Sequence, residues 1–154
     1  MVTRGGGFNG PSVRGYTPGL ATGHRTDGLW SGGHGGRSHR GRQPGHVLVR
    51  LFRACGHAAD CRYGGAEALA ALTDPSRERP ALVLLDVMMP GMSGLEVLEK
   101  VRGTPDLAGL PVVLYTAAHD PEVAERGLAL GASGVALKSG GWDVLYPKVR
   151  EFLQ

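Results

Sequence analysis

The feature that most constrains this chain is an unbroken apolar run, Ala81-Leu82-Val83-Leu84-Leu85, that ends on a carboxylate, Asp86. A strand with one wet face alternates apolar and polar residues. A run this uniform suits a strand covered on both faces, the condition of a parallel sheet packed between helices. Pro111 to Tyr115 reads as a second such strand and Val135-Ala136-Leu137 as a short third.

Helical periodicity fills the intervals. Val47, Leu48, Leu51 and Phe52 recur at helical spacing, and Gly56 ends that helix. Ala58 to Tyr63 reads as a short strand, Gly64-Gly65 as a turn, Ala66 to Leu72 as an alanine-rich helix and Thr73 to Pro80 as a polar loop. Leu95 to Arg102 alternates Leu and Val with Glu and Lys. Asp120 before Pro121 is a helix start, an N-cap followed by proline at the first helical position, and that helix runs to Leu130 and stops at Gly131. Val144 to Leu153 is a final amphipathic helix, with Pro147 expected in its first turn or at a bend. The order α-β-α-β-α-β-α-β-α predicts a parallel sheet with helices on both faces. In such sheets ligands sit at the carboxyl ends of the strands, near a topological switch point.

The 154 residues suit one domain and a tail. Fourteen of the 26 glycines fall in residues 1–45, which also hold six arginines against one acid, Asp27. This stretch carries no apolar periodicity and is expected to be disordered, because it buries too little to offset its ordering entropy. Residues 46–154 hold 11 basic and 13 acidic groups, so the net charge of +3 belongs to the tail. The folded part gives no electrostatic reason to expect nucleic acid. Arg-Gly pairs such as Arg4-Gly5, Gly36-Arg37 and Arg40-Gly41 loosely suggest nucleic-acid contact, but the arginines and interleaved aromatics are too few for a binding module. No apolar run follows Arg4 as in a signal peptide, and none approaches the ~18 residues of a membrane span. A cytoplasmic protein is expected.

Asp86 should emerge at the carboxyl edge of the most buried strand. Thr116 and Lys138 end the next two strands, so a carboxylate, a hydroxyl and an amine converge. Singly each suits a cap or a solvated surface; capping does not account for the three together. Asp86, Met89-Pro90, Met92 and Gly94 resemble the D-x-x-M-P-x-M-x-G signature of response-regulator receiver domains, and the places of Thr116, Lys138 and Gly131-Ala132 match as well. The resemblance covers His46 to Gln154. It implies a flavodoxin-like doubly wound sheet in which Asp86 accepts a phosphoryl group from a histidine kinase or phosphotransfer protein. It implies Mg²⁺ held by Asp86, the Met88 main-chain carbonyl and an acidic pair, with Lys138 neutralising the phosphoryl oxygens, Thr116 binding the phosphate and carrying the switch, and Gly94 letting the loop turn into its helix. It also implies a downstream protein partner and no conventional enzyme activity. Since the chain stops at its last helix, that partner is expected to be separate.

Departures from the family pattern carry their own expectations. The first strand and its terminal acidic pair should precede His46. Counting back from Gly56 puts the pair at His39 and Arg40, and no acid lies between Asp27 and Asp60. The first strand is therefore expected to be absent or replaced, and Mg²⁺ binding to be weak. A start of foreign origin joined to a receiver fragment would account for both departures. The alternative function is a phosphorylation-independent interaction module. Val135 stands where the family has an aromatic switch residue, and Ser139 where it has a cis proline, so this peptide is expected to be trans. Cys55, His57 and Cys61 fit no zinc spacing, and both cysteines read as small core residues. Met88, Met89 and Met92 read as loop packing, His119 as loop surface and Trp142 as packing for the last helix.

Overall fold

The computed structural model describes residues 12–16, 44–62, 64–89, 91–117 and 121–153. Five strands and five helices alternate: β1 (Ser12–Tyr16), α1 (Pro44–Ala54), β2 (Ala58–Arg62), α2 (Gly65–Thr73), β3 (Leu82–Asp86), α3 (Gly94–Gly103), β4 (Val112–Thr116), α4 (Pro121–Ala129), β5 (Gly134–Leu137) and α5 (Gly141–Val149). Short 3₁₀ turns lie at Pro105–Leu107, Lys138–Gly140 and Arg150–Leu153. The strands form one parallel sheet in the order β2-β1-β3-β4-β5, the flavodoxin-like order.

The expectation of a missing first strand is corrected by β1. Ser12–Tyr16 lies within the stretch read as structureless, yet it fills the interior slot of the sheet. Val13 pairs with Ala59 on one side and Leu82 on the other, and Tyr16 with Arg62 and Leu85. The reason lies in the backbone. An empty slot would leave ladder groups of β2 and β3 buried and unpaired, at about 1–3 kcal/mol each. Any extended segment able to pair on both sides removes that cost, whatever its apolar content. The rest of residues 1–43, including His39 and Arg40, lies outside the described residues, as do Pro90, His119 and Asp120. Helix α1 begins at Pro44, so the expected boundary between residues 45 and 46 falls within its first turn.

β3 and β4 are buried at every position, as their unbroken apolar runs require. Alternate residues face opposite ways. Val83, Leu85, Val112 and Leu114 pack with α2 and α3 through Ala68, Leu72, Val97 and Leu98. Leu82, Leu84, Val113 and Tyr115 pack on the other face with Phe52 of α1 and Leu145 and Val149 of α5. Helix ends follow the glycines. Gly56 (φ 87°) and Gly131 (φ 94°) take the left-handed conformation after α1 and α4. Their N–H groups donate to Arg53 and Leu128 while the next residues, His57 and Ala132, donate to Phe52 and Gly127. This is the paired-carbonyl closure of a Schellman motif.

The last helix starts earlier than its apolar spacing indicates, at Gly141, so Pro147 lies well inside it and not in its first turn. Proline has no N–H for the carbonyl four residues back. The helix closes two residues later and tightens into the 3₁₀ turn Arg150–Leu153. Among the described residues no helix is long and apolar enough to cross a membrane.

Candidate functional site

Three strands deliver the candidate residues to one edge. Asp86 ends β3 and Thr116 ends β4. Lys138 follows β5 as the first residue of a 3₁₀ turn. In register Asp86 lies opposite Tyr115, and Thr116 opposite Leu137, which puts the three at successive positions along the carboxyl edge. This edge flanks the point between β1 and β3 where the strand order reverses, the usual ligand crevice of such sheets.

The Asp86 side chain is only 1% exposed. Its Oδ2 accepts a hydrogen bond from Lys138 Nζ, and its Oδ1 accepts one from the Met88 backbone N–H at 2.9 Å. Each carboxylate oxygen thus has a donor. This matters because a buried charge left unpaired is costly. Lys138 keeps 28% of its side chain in solvent, so the pair has one dry and one wet member. The ammonium also lies 5.8 Å from the Tyr115 ring centroid. Tyr115 is buried, and burial first and the Asp86 charge second push its hydroxyl above the usual tyrosine range. Thr116 is buried as well.

Gly94 holds the loop after Asp86 against the strand end. Its N–H donates to the Val87 carbonyl at 3.0 Å. A Cβ there would come to 2.1 Å from the Asp86 carbonyl oxygen and 2.8 Å from Val87 Cα. The glycine thus serves close backbone approach, a stricter demand than turning alone. Ser93 caps α3 in a reciprocal capping box with Glu96, which fixes where the loop becomes helix. Among the methionines, Met89 is buried and Met92 packs on the core, but Met88 is 71% exposed and contributes no packing.

A family model described as the response regulator receiver domain matches residues 46–150. The chain belongs to the response regulator receiver family. The receiver is 33% identical over 109 residues to the phosphate regulon transcriptional regulatory protein PhoB of Rhizobium meliloti, covering 70% of this chain and 47% of PhoB. It is 40% identical over 80 residues to the response regulator PleD of Caulobacter vibrioides, covering 52% of this chain and 18% of PleD. The chain spans less than half the length of either relative. Among solved structures it is similar to the Mn²⁺-bound form of response regulator Rcp1, with a TM-score of 0.66 at 21% identity, covering 92% of this chain and 91% of Rcp1. It is also similar to the chemotaxis protein CheY4 of Vibrio cholerae, with a TM-score of 0.64 at 26% identity, covering 70% and 88%.

Among the described residues the donor set beside Asp86 does not fit a divalent ion. A hard cation wants several oxygen ligands, usually with more than one carboxylate. Asp86 and Asp60 are the two acidic residues of the five strands. Asp60 lies on β2, beyond β1, and its Oδ1 accepts from Arg62 Nη1 at 2.6 Å. Among the described residues no three His, Cys, Asp or Glu side chains gather as a metal site would require.

Sequence reasoning missed Arg62. It ends β2 at the same edge, is buried, and is held by Asp60 and by the Cys61 carbonyl at 2.9 Å. The alternation Asp60, Arg62 was the available signal, since residues two apart on a strand share a face. The cysteines separate. Cys61 is buried, and burial with the neighbouring Asp60 charge pushes its thiol up to about 12. Cys55 is exposed, contrary to its reading as a core residue, because it follows the last turn of α1 beyond the packed face. Trp142 packs α5 against Phe52 at 4.9 Å and stacks on Tyr146 at 4.8 Å. No peptide bond is cis among the described residues, Lys138–Ser139 included.

Proposed function

We propose that this receiver accepts a phosphoryl group on Asp86 from a phosphohistidine of a histidine kinase or phosphotransfer protein, and passes the signal to a downstream partner. The observation that carries the reading is the Asp86 carboxylate at the sheet edge with the Lys138 ammonium on one oxygen. In the transfer an Asp86 oxygen forms the new O–P bond, the donor's N–P bond breaks, and the leaving imidazole nitrogen takes a proton from solvent. Phosphoryl transfer asks mainly for positioning and charge neutralisation. Met88 N–H orients the carboxylate, and Lys138 moves from the carboxylate to the phosphoryl oxygens, as its flexible stem allows. Thr116, at the end of the neighbouring strand, donates its hydroxyl to the phosphoryl group and links the site to the loop that follows. The reaction is stoichiometric, one phosphoryl group per chain, and the receiver is not assigned an enzymatic turnover of its own.

Intact-mass measurement after incubation with acetyl phosphate tests the reading. One phosphoryl adduct is expected on the parent and none on Asp86→Asn. A second reading, a phosphorylation-independent interaction module, is favoured by the lack of a second carboxylate beside Asp86 in the strands. The parent would then remain unmodified with every phosphodonor.

A further inference from the structure

At the edge that carries Asp86 the described carboxylates are already engaged where a divalent ion would have to enter. Lys138 Nζ contacts Asp86 Oδ2 directly, and the remaining oxygen already accepts from Met88 N–H. β1, the strand between Asp86 and β2, supplies Ser-Val-Arg-Gly-Tyr and no acid, and the next acid in the sequence is Asp27. Across β1 the other strand carboxylate, Asp60, is level with Val83, three residues short of Asp86, and is committed to the buried Arg62 guanidinium. Glu96, the first acid along the chain after Asp86, is turned back onto the Ser93 backbone N–H at 2.7 Å. A cation arriving at Asp86 would displace an ammonium already in contact and gain one carboxylate.

We infer that Lys138, and not a divalent cation, is the standing counter-charge of Asp86, so that this site is indifferent to Mg²⁺. The inference rests on the reading of Asp86 as the reactive carboxylate, and it separates this receiver from the metal-bound form described for Rcp1. Its physical content is that the negative charge of Asp86 is neutralised within the chain, by a residue that remains partly exposed and free to move.

The test is a titration of the full chain with MgCl₂ at ionic strength held constant with NaCl, which removes general screening effects. A ligand that binds only the folded state raises the melting temperature with its concentration. The expected result is no shift through the millimolar range, in the parent and in Asp86→Asn alike. A saturable rise in the parent that is lost in Asp86→Asn would overturn the inference. A double-variant cycle of Asp86→Asn and Lys138→Met reads the pair itself. Lys138→Met is expected to melt several degrees lower, and the double variant to recover part of that loss. Strictly additive effects would overturn the counter-charge role. Acetyl phosphate labelling in Mg²⁺ and in EDTA distinguishes the two readings. Equal adduct supports both, and adduct in Mg²⁺ alone overturns the inference and leaves the acceptor role standing. No adduct in either buffer removes the acceptor role, and the MgCl₂ titration still decides the inference.

Discussion

A Cβ on Gly94 would lie 2.1 Å from the carbonyl oxygen of Asp86. The obstructing atom is backbone at the end of a fully buried strand, so it has no rotamer to change. Gly94→Ala is therefore expected to destabilise the fold by the cost of overpacking, about 1–3 kcal/mol or more. Alanine's helical advantage over glycine at this first position of α3, at most about 1 kcal/mol, acts in the opposite direction. Urea denaturation checks the balance. A variant as stable as the parent would mean that the loop does not lie against the strand end.

β1 makes a prediction that its sequence alone would not. Paired on both sides, its amides should exchange with deuterium only when the sheet opens as a whole. Arg14 and Gly15 are expected to be protected to a degree comparable with Leu84, to which Gly15 is registered. Exchange of these amides at the rate of an unstructured peptide would remove β1 from the sheet.

Tyr115 couples the core to the site through pH. Its folded-state hydroxyl titrates above the usual value of 10.0, because of burial and then the Asp86 charge. A group raised in this way contributes stability that is complete below its unfolded value and lost as pH rises through the folded one. The melting temperature should fall as pH climbs beyond about 10, and Tyr115→Phe should make that decline shallower. An identical alkaline slope in the two proteins would contradict the burial of this hydroxyl.

Much of the fold was legible in the sequence because burial writes itself into composition. Leu82–Asp86 and Val112–Thr116 are covered on both faces, and their apolar runs declare it. Gly56 and Gly131 announce helix ends because left-handed backbone favours glycine. Asp86, Thr116 and Lys138 could be placed at one edge because each ends or directly follows a strand recognisable in its own right. β1 was not legible, since an interior slot is secured by hydrogen bonds that any extended backbone can make, and Ser-Val-Arg-Gly-Tyr lacks an apolar run. Arg62 was missed for the opposite reason. A charged residue ending a short strand reads as solvated, and its burial depends on Asp60 accepting its charge at 2.6 Å. Pro147 misled because a proline inside a helix is tolerated when the helix ends soon after it.

Mapping the modified residue tests whether Asp86 is the one that becomes phosphorylated. After incubation with acetyl phosphate, borohydride reduces an aspartyl phosphate to homoserine, which tandem mass spectrometry locates in the sequence. Homoserine is expected at position 86, with aspartate retained at Asp60, Asp106 and Asp143. Homoserine at any of those positions instead, or unmodified aspartate throughout, would contradict the phosphorylation of Asp86.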